Sequence, residues 1–195
     1  VLLESIRLED GQFSNLALHQ KRLDRARRVS FGKPKKLRIS DIIDGLDVPQ
    51  QGTHKLRIVY GEDLISAEFH PYSIKPITSL KVVKADGLDY GHKYSNRDGI
   101  KHLFERRGKC DDIIMVKHGY VMDASYANLA LYDGRHWYTP AYPMLRGVRR
   151  EQLLKEKILR PAIIRDRDLG NFQMARLVNA MIPWGAGNDI LNIVP

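Results

Sequence analysis

The chain has 195 residues, 43% of them hydrophobic, which is enough for one large domain or two small ones around a real core. Lys and Arg number 32 against 23 Asp and Glu, and the formal charge of +9 suits anionic ligands such as phosphates, carboxylates or nucleic acid without choosing among them. Cys110 is the single cysteine, so no disulfide within the chain and no zinc site built on paired cysteines is available, and no metal is called for. No apolar run approaches the roughly 18 residues of a membrane span. Val1 to Gly11 carries charges where a signal peptide needs its apolar core, so an untargeted, cytoplasmic protein is expected.

In chain order, Leu2 to Leu8 alternates loosely and ends at Asp10-Gly11, a strand running into a turn. Apolar residues at helical spacing predict a helix from Asn15 to Val29, stopped by Phe31-Gly32-Lys33-Pro34. A short helix with Ser40 as its N-cap carries Ile42, Ile43 and Leu46. Lys55 to Tyr60 and Leu64 to Phe69 read as two strands around Gly61-Glu62-Asp63. The stretch from Pro71 to Ser79 holds two prolines and little periodicity. The expected organisation is a small α+β N-terminal domain over 1–73, a linker over 74–79 and a larger α/β C-terminal domain over 80–195. In the latter come a strand at Leu80 to Val83, a helix at Arg97 to Arg107 and a buried strand at Ile113 to Val116. A turn at His118-Gly119, a strand pair turning at Asp133-Gly134, and a helix from about Gly147 to Leu159 follow. No repeat or low-complexity tract is present.

Several residues could carry chemistry, each with a plainer alternative. Lys93, in His92-Lys93-Tyr94-Ser95-Asn96-Arg97, reads by itself as a solvated loop lysine; as a nucleophile it would need partial burial near other cations. Arg22 shares a helix face with His19, Leu23 and Ala26, and an arginine turned inward needs an anion partner. Otherwise it belongs to a surface cluster with Lys21, Arg25, Arg27 and Arg28, and His19 supports the fold. Gly147-Val148-Arg149 opens a predicted helix, whose first amides suit a phosphate. Trp184 reads as packing and Cys110 as an inert thiol.

Read together, these blocks resemble the class IV aminotransferase family, the fold-type IV enzymes of pyridoxal 5'-phosphate (PLP). The resemblance rests on Lys93-Tyr94-Ser95-Asn96-Arg97, then Gly119-Tyr120-Val121-Met122-Asp123 with Asn128-Leu129, then Thr139-Pro140, Leu145-Arg146-Gly147-Val148-Arg149-Arg150, and Asn179-Ala180-Met181-Ile182-Pro183. It covers most of 80–185 and more thinly 2–29, where His19-Gln20-Lys21-Arg22-Leu23 looks like His-x-x-Arg-Leu. It implies an α+β, two-domain fold like that of D-amino-acid aminotransferases, with a shortened N-terminal domain. It implies Lys93 as the Schiff-base lysine and Asp123, where relatives usually have Glu, as the acid beside the pyridine nitrogen. It also implies Arg22, Gly147, Val148 and Arg149 around the phosphate, and Asn128, Asn179 and Ala180 on the cofactor side.

The same residues resemble aminodeoxychorismate lyases more than branched-chain transaminases. The implied reaction is elimination from a small amino-carboxylate substrate, of the 4-aminobenzoate type; the alternative is a class IV aminotransferase. A remote alternative is a basic nucleic-acid-binding protein, although aromatic residues are not interleaved with the basic clusters. Relatives follow the strand matching Arg57 to Tyr60 with an Arg- and Gly-rich loop that binds substrate carboxylates, whereas here Tyr60-Gly61-Glu62-Asp63 turns straight back. His70, Tyr72 or Arg149 are candidates to replace it, or a partner subunit; a homodimer is expected, with no membrane association.

Overall fold

The structure, a computed structural model, describes residues 1–187 and 189–195. The chain divides into two units, Val1–Ile74 with His92–Asn96, and Lys75–Gly91 with Arg97–Pro195. Among the described residues no helix is long and apolar enough to cross a membrane.

The first unit contains β1 (Leu2–Glu9), β2 (Gln12–Phe13), α1 (Leu16–Phe31), α2 (Ile39–Asp44), β3 (Thr53–Tyr60) and β4 (Leu64–Pro71). Its four strands form one sheet in the order β2-β1-β3-β4. The turn after β1 places Asp10 and Gly11 at positive φ, and Asp10 Oδ1 accepts the Gly52 amide at 2.7 Å. Side chains alternate across the strands. Leu2, Ile6, Leu56, Ile58 and Tyr60 face the helices and pack with Leu23 and Ala26 of α1 and with Ile39 and Ile42 of α2. Each fully buried aliphatic side chain contributes about 1.5 to 3 kcal/mol. Ser40 is not the N-cap expected of it. Arg38 occupies that position without a side-chain bond, and Ser40 lies inside α2 with its Oγ on Asp41 Oδ1.

The segment 92–96, which the sequence places in the C-terminal domain, belongs by its contacts to this first unit. Tyr94 forms a bridge with Leu2, the Leu3 amide donates to Lys93 O at 2.9 Å, and the Ser95 amide donates to Val1 O at 3.1 Å. The reason is an open hydrogen-bonding edge: β2 pairs with Leu8 and Glu9 alone, and the uncovered end of β1 takes the incoming backbone. Tyr94 adds its ring to the helix-side core.

The second unit contains β5 (Ser79–Lys84), α3 (Asp98–Glu105), β6 (Asp112–Lys117), β7 (Tyr120–Ala124), β8 (Asn128–Tyr132), β9 (Trp137–Pro140), α4 (Val148–Lys155), β10 (Leu159–Ala162), β11 (Met174–Val178) and β12 (Asn192–Val194). The sheet runs β10-β9-β8-β7-β6-β5-β12, with β11 also paired to β8. β5 lies parallel to both β6 and β12, and β9 parallel to β10, while the remaining pairs are antiparallel. Ile100 and Leu103 of α3 cover Val83, Ile113 and Met115; Leu153 of α4 packs with Ala130, Leu159 and Val178. The helix predicted to reach Leu159 stops at Lys155, because Lys157 turns to φ 59° and Leu159 begins β10.

Candidate functional site

Asp123 and Asn128 end one strand and begin the next, and they face each other as a cross-strand pair of β7 and β8. Both are buried. Asn128 Nδ2 donates to Asp123 Oδ1 at 2.6 Å and to Leu145 O at 2.8 Å, and the Leu145 amide donates to Asp123 Oδ2 at 2.9 Å. Burial pushes the Asp123 carboxyl up to about 6, against the pull of these bonds and of the nearby Arg150 charge. Asn128 and the Leu145 amide thus hold the carboxylate from two sides, and the Met144 backbone adds to their pull.

Leu145 leads directly into α4, whose N-cap is Gly147. Gly147 O accepts the Glu151 amide at 2.9 Å, so the amides of Val148, Arg149 and Arg150 lie in the first turn, where a helix provides no carbonyl for them. The backbone comes so close that a Cβ on Gly147 would sit 2.1 Å from Asn128 Oδ1. Arg149 Nε is buried without a hydrogen-bond partner among the described residues, while its Nη1 donates to Gln152 at 2.5 Å. Arg150, quoted in the sequence resemblance without a role of its own, is buried with Nε on Thr139 Oγ1 at 3.1 Å and Nη2 on Pro140 O at 2.7 Å. Thr139-Pro140 therefore serves to anchor this arginine.

Two further residues support the loop between Asp123 and Asn128: Arg97, quoted in the sequence resemblance without a role, and Asp112, which the sequence reading missed. Arg97 Nη2 donates to Ser125 O at 2.5 Å, and the buried Asp112 accepts the Ile113 amide at 2.7 Å and, at 3.4 Å, the Ser125 amide. Asn179 follows directly on Val178, the residue paired with Asn128 across β8 and β11, and so brings Ala180 to the same end of the strand. Asn179 Oδ1 accepts the Met181 amide at 2.8 Å, a local turn. Trp184 packs edge-on to Trp137, as the plainer reading has it.

In the first unit, β1 turns Glu4 toward α1, opposite Ile58 in register and beside the buried core, where two polar side chains meet it. Those are His19 and Arg22, one turn apart on α1. Arg22 grips Glu4 along one edge of its guanidinium, Nε to Oε1 at 2.8 Å and Nη2 to Oε2 at 2.5 Å, and His19 Nδ1 lies 2.6 Å from Oε2. Burial would raise the Glu4 carboxyl, but the Arg22 charge and the His19 bond outweigh it and hold it down to about 2. Glu4 is therefore an ionised acceptor, which assigns the proton of His19 to Nδ1. Burial lowers the His19 pKa against the pull of Glu4, with Arg22 and Lys93 adding to the fall, so the ring is neutral near pH 7. The anion that an inward-facing Arg22 demands is thus met at least in part by Glu4, which sequence reasoning overlooked. A lone acid among the inward positions of an alternating strand was the available signal.

His70 and Tyr72 do not join this cluster. Register carries the outward series Leu3, Ser5 and Arg7 across the sheet, from Arg7 to Lys55 and on to His70, whereas Glu4 lies on the helix side. His70 Nε2 comes within 3.5 Å of Glu68 Oε2, and the Tyr72 amide donates to Thr53 O at 2.9 Å.

Such a pair of units, one carrying Lys93 and the other a buried acid beside a helix N-terminus, is the architecture of the fold-type IV PLP enzymes. The chain belongs to the class IV amino-transferase family, whose family model matches residues 1–187. It is 34% identical over 183 residues to an uncharacterized protein of Haemophilus influenzae, covering 92% of this chain and 97% of that one. Among solved structures, a proposed 4-amino-4-deoxychorismate lyase from Haemophilus somnus 129pt superposes with a TM-score of 0.86 at 31% identity, over 92% of this chain and 95% of that one. A proposed amino-acid aminotransferase from Mesorhizobium loti gives 0.77 at 20% identity over 99% of both chains. The PLP-bound form of a hypothetical aminotransferase from Mycobacterium tuberculosis gives 0.75 at 17% identity, over 98% of this chain and 80% of that one. The last two likenesses concern the fold. The protein is a PLP-dependent enzyme, and its residues fit the cofactor: the buried Arg149 Nε and the close-packed Gly147 at the start of α4 suit a phosphate, and the buried Asp123 carboxyl suits a ring N–H.

Proposed function

We propose that this enzyme eliminates pyruvate from a small amino-carboxylate in the manner of an aminodeoxychorismate lyase, releasing an arylamine such as 4-aminobenzoate. The observation that carries the reading is the Asp123 carboxylate, buried and fixed from two sides by Asn128 and Leu145 in a chain 31% identical to a proposed lyase. When bound, PLP supplies an aldehyde for amines and a ring that accepts electrons as a carbanion develops. Lys93 is the covalent tether and the base that takes a proton from the substrate and returns it. Asp123 holds the ring nitrogen protonated, and Asn128 holds Asp123. The first-turn amides of α4, with Gly147, Val148 and Arg149, bind phosphate oxygens, joined by Arg22, whose guanidinium Glu4 keeps in one orientation. Asn179 and Ala180 close the cofactor side.

The protein is proposed to work as a cytoplasmic homodimer. Lone Cys110 provides nothing for an oxidising compartment to pair within the chain, and twofold dimers are the commonest soluble homo-oligomers. The alternative reaction is amino transfer, which uses the same lysine to move a proton between substrate and cofactor. Incubation of the PLP-loaded enzyme with aminodeoxychorismate tests the choice: release of 4-aminobenzoate and pyruvate is expected. Transfer of the amino group to an added keto acid, without pyruvate release, would overturn it in favour of the transaminase.

A further inference from the structure

Nearly all of the chain's charge sits in one segment of the first unit. Residues 21–38 hold nine Lys or Arg against a single acid, Asp24, in a chain whose formal charge is +9. Two of the nine turn inward: Arg22 to Glu4, and Arg27 to the carbonyls of Lys35, Gly61 and Glu62. Asp24 is itself engaged, by Gln20 Nε2 at 2.9 Å. Of the others, Arg25, Arg28, Lys33, Lys35, Lys36 and Arg38 are exposed. Among the described residues none of these six side chains has an ion-pair or hydrogen-bond partner.

The loop that carries four of the six is held against α1. Gln20 of that helix donates to Leu37 O at 2.9 Å and accepts the Ile39 amide at 2.8 Å, and Arg27 Nη1 donates to Lys35 O at 2.7 Å. Leu37 packs on the core, and Pro34 fixes φ between them. The cations of the loop and those of α1 therefore belong to one ordered surface. Its borders are acidic: Glu62 and Asp63 in the turn that Arg27 bonds, and Asp41 in the first turn of α2. Gathering six like charges costs free energy in the bare protein, and an anion laid over them relieves it.

The surroundings of the patch select the anion. Phe31, the one aromatic ring of the segment, packs against the core, so the base stacking that a single strand needs is not offered. Leu23 and Ala26 of α1 are spent on the sheet, and Val29 alone among the segment's large apolar side chains is exposed, too little to enter acyl chains. What the surface does offer is a dense, fixed array of positive charge. A nucleic-acid duplex matches it with one negative charge per about 1.7 Å of axis and counterions whose release drives binding.

We propose that the face formed by Arg25, Arg28, Lys33, Lys35, Lys36 and Arg38 binds a nucleic-acid duplex through its phosphate backbone, without reading sequence, as an activity separate from the PLP chemistry. Lys and Arg donate to phosphate oxygens, and the acidic borders confine the footprint to α1 and its following loop.

Fluorescence anisotropy of labelled DNA and RNA duplexes with the PLP-loaded protein tests this. A dissociation constant on the order of 10 μM is expected near physiological salt, with a log–log salt slope of roughly −4, as four or five phosphates are neutralised. The fourfold variant Arg25→Gln, Arg28→Gln, Lys35→Gln, Lys36→Gln is expected to lose tenfold or more in affinity at low salt. Its slope should flatten by roughly one for each contact removed. Melting temperature, PLP content and turnover should stay as in wild type. A control with the same net charge replaces Lys84, Lys101, Lys109 and Arg160, all exposed in the second unit, by Gln and should keep most of the affinity. Binding of either duplex that depends on the patch supports the proposal. It is overturned by binding of neither duplex at low salt, or by a control that loses as much as the patch variant. Capture of polyglutamate or anionic vesicles with both duplexes left unbound overturns it as well. Should the fourfold variant fail to fold, unchanged affinity in both Arg25→Gln/Arg28→Gln and Lys35→Gln/Lys36→Gln does the same.

Discussion

Asn128 lies directly across from Asp123 on the adjacent strand and donates its amide to the carboxylate at 2.6 Å, while its other proton goes to Leu145 O. One side chain thus couples the acid to the segment that leads into α4.

Asp123→Asn tests this arrangement. An amide at this position faces two donors with a single acceptor, leaving one buried donor opposed at a cost of about 1 to 3 kcal/mol. PLP is expected still to bind while turnover drops steeply, since the ring nitrogen loses its counter-charge. The pH dependence of the cofactor-free protein follows from the raised pKa. Asp123 binds its proton more tightly folded, near 6, than unfolded, near 3.8, so stability declines as pH rises through that window by about 3 kcal/mol and Asp123→Asn flattens the slope. Urea unfolding across this range checks both statements.

Gly147→Ala should act through Asn128. The new Cβ would fall 2.1 Å from Asn128 Oδ1 and displace it from Asp123 and Leu145, although the backbone of Gly147, φ −72°, tolerates any residue. We expect weaker PLP binding with a loss of about 1 to 3 kcal/mol in stability. PLP affinity equal to wild type would show that the Asn128 contact is dispensable.

Glu4 is expected to govern acid stability. Its pKa falls from 4.5 to about 2 on folding, so its contribution of about 3 kcal/mol is present above pH 4.5 and lost as pH drops toward 2. Glu4→Gln removes it at neutral pH and leaves Arg22 without its carboxylate, lowering stability by about 3 kcal/mol. Weaker PLP affinity is expected to accompany the change. An acid unfolding curve identical to wild type would contradict this account.

Lys93→Ala should abolish turnover and the borohydride-sensitive band while leaving the melting temperature nearly unchanged. The Lys93 carbonyl that accepts the Leu3 amide, and the Tyr94 ring in the core, are kept by the substitution. Residual turnover at the wild-type rate would remove Lys93 from the chemistry.

Sedimentation should report about twice the 22.4 kDa chain mass. β4 is an edge strand with Leu64 and Ile65 exposed, a feature that isolated chains usually suppress. A fully active monomer would place the whole substrate site on one chain.

The sequence by itself determined the family, because the blocks around Lys93, Asp123, Gly147 and Asn179 stand in it in the order that the family resemblance requires. It also determined most elements whose alternation or helical spacing is clear, β1, α1, β3 and β4 among them. Tertiary structure decided what pairing across distance decides. The segment 92–96 joins β1 because that strand has an unfilled edge, which no local pattern announces. Arg22 meets Glu4 eighteen residues away because α1 lies over the even-numbered face of β1. The same alternation sends Arg7 to the opposite face, so three charged residues close in sequence or in helix register serve two different surfaces.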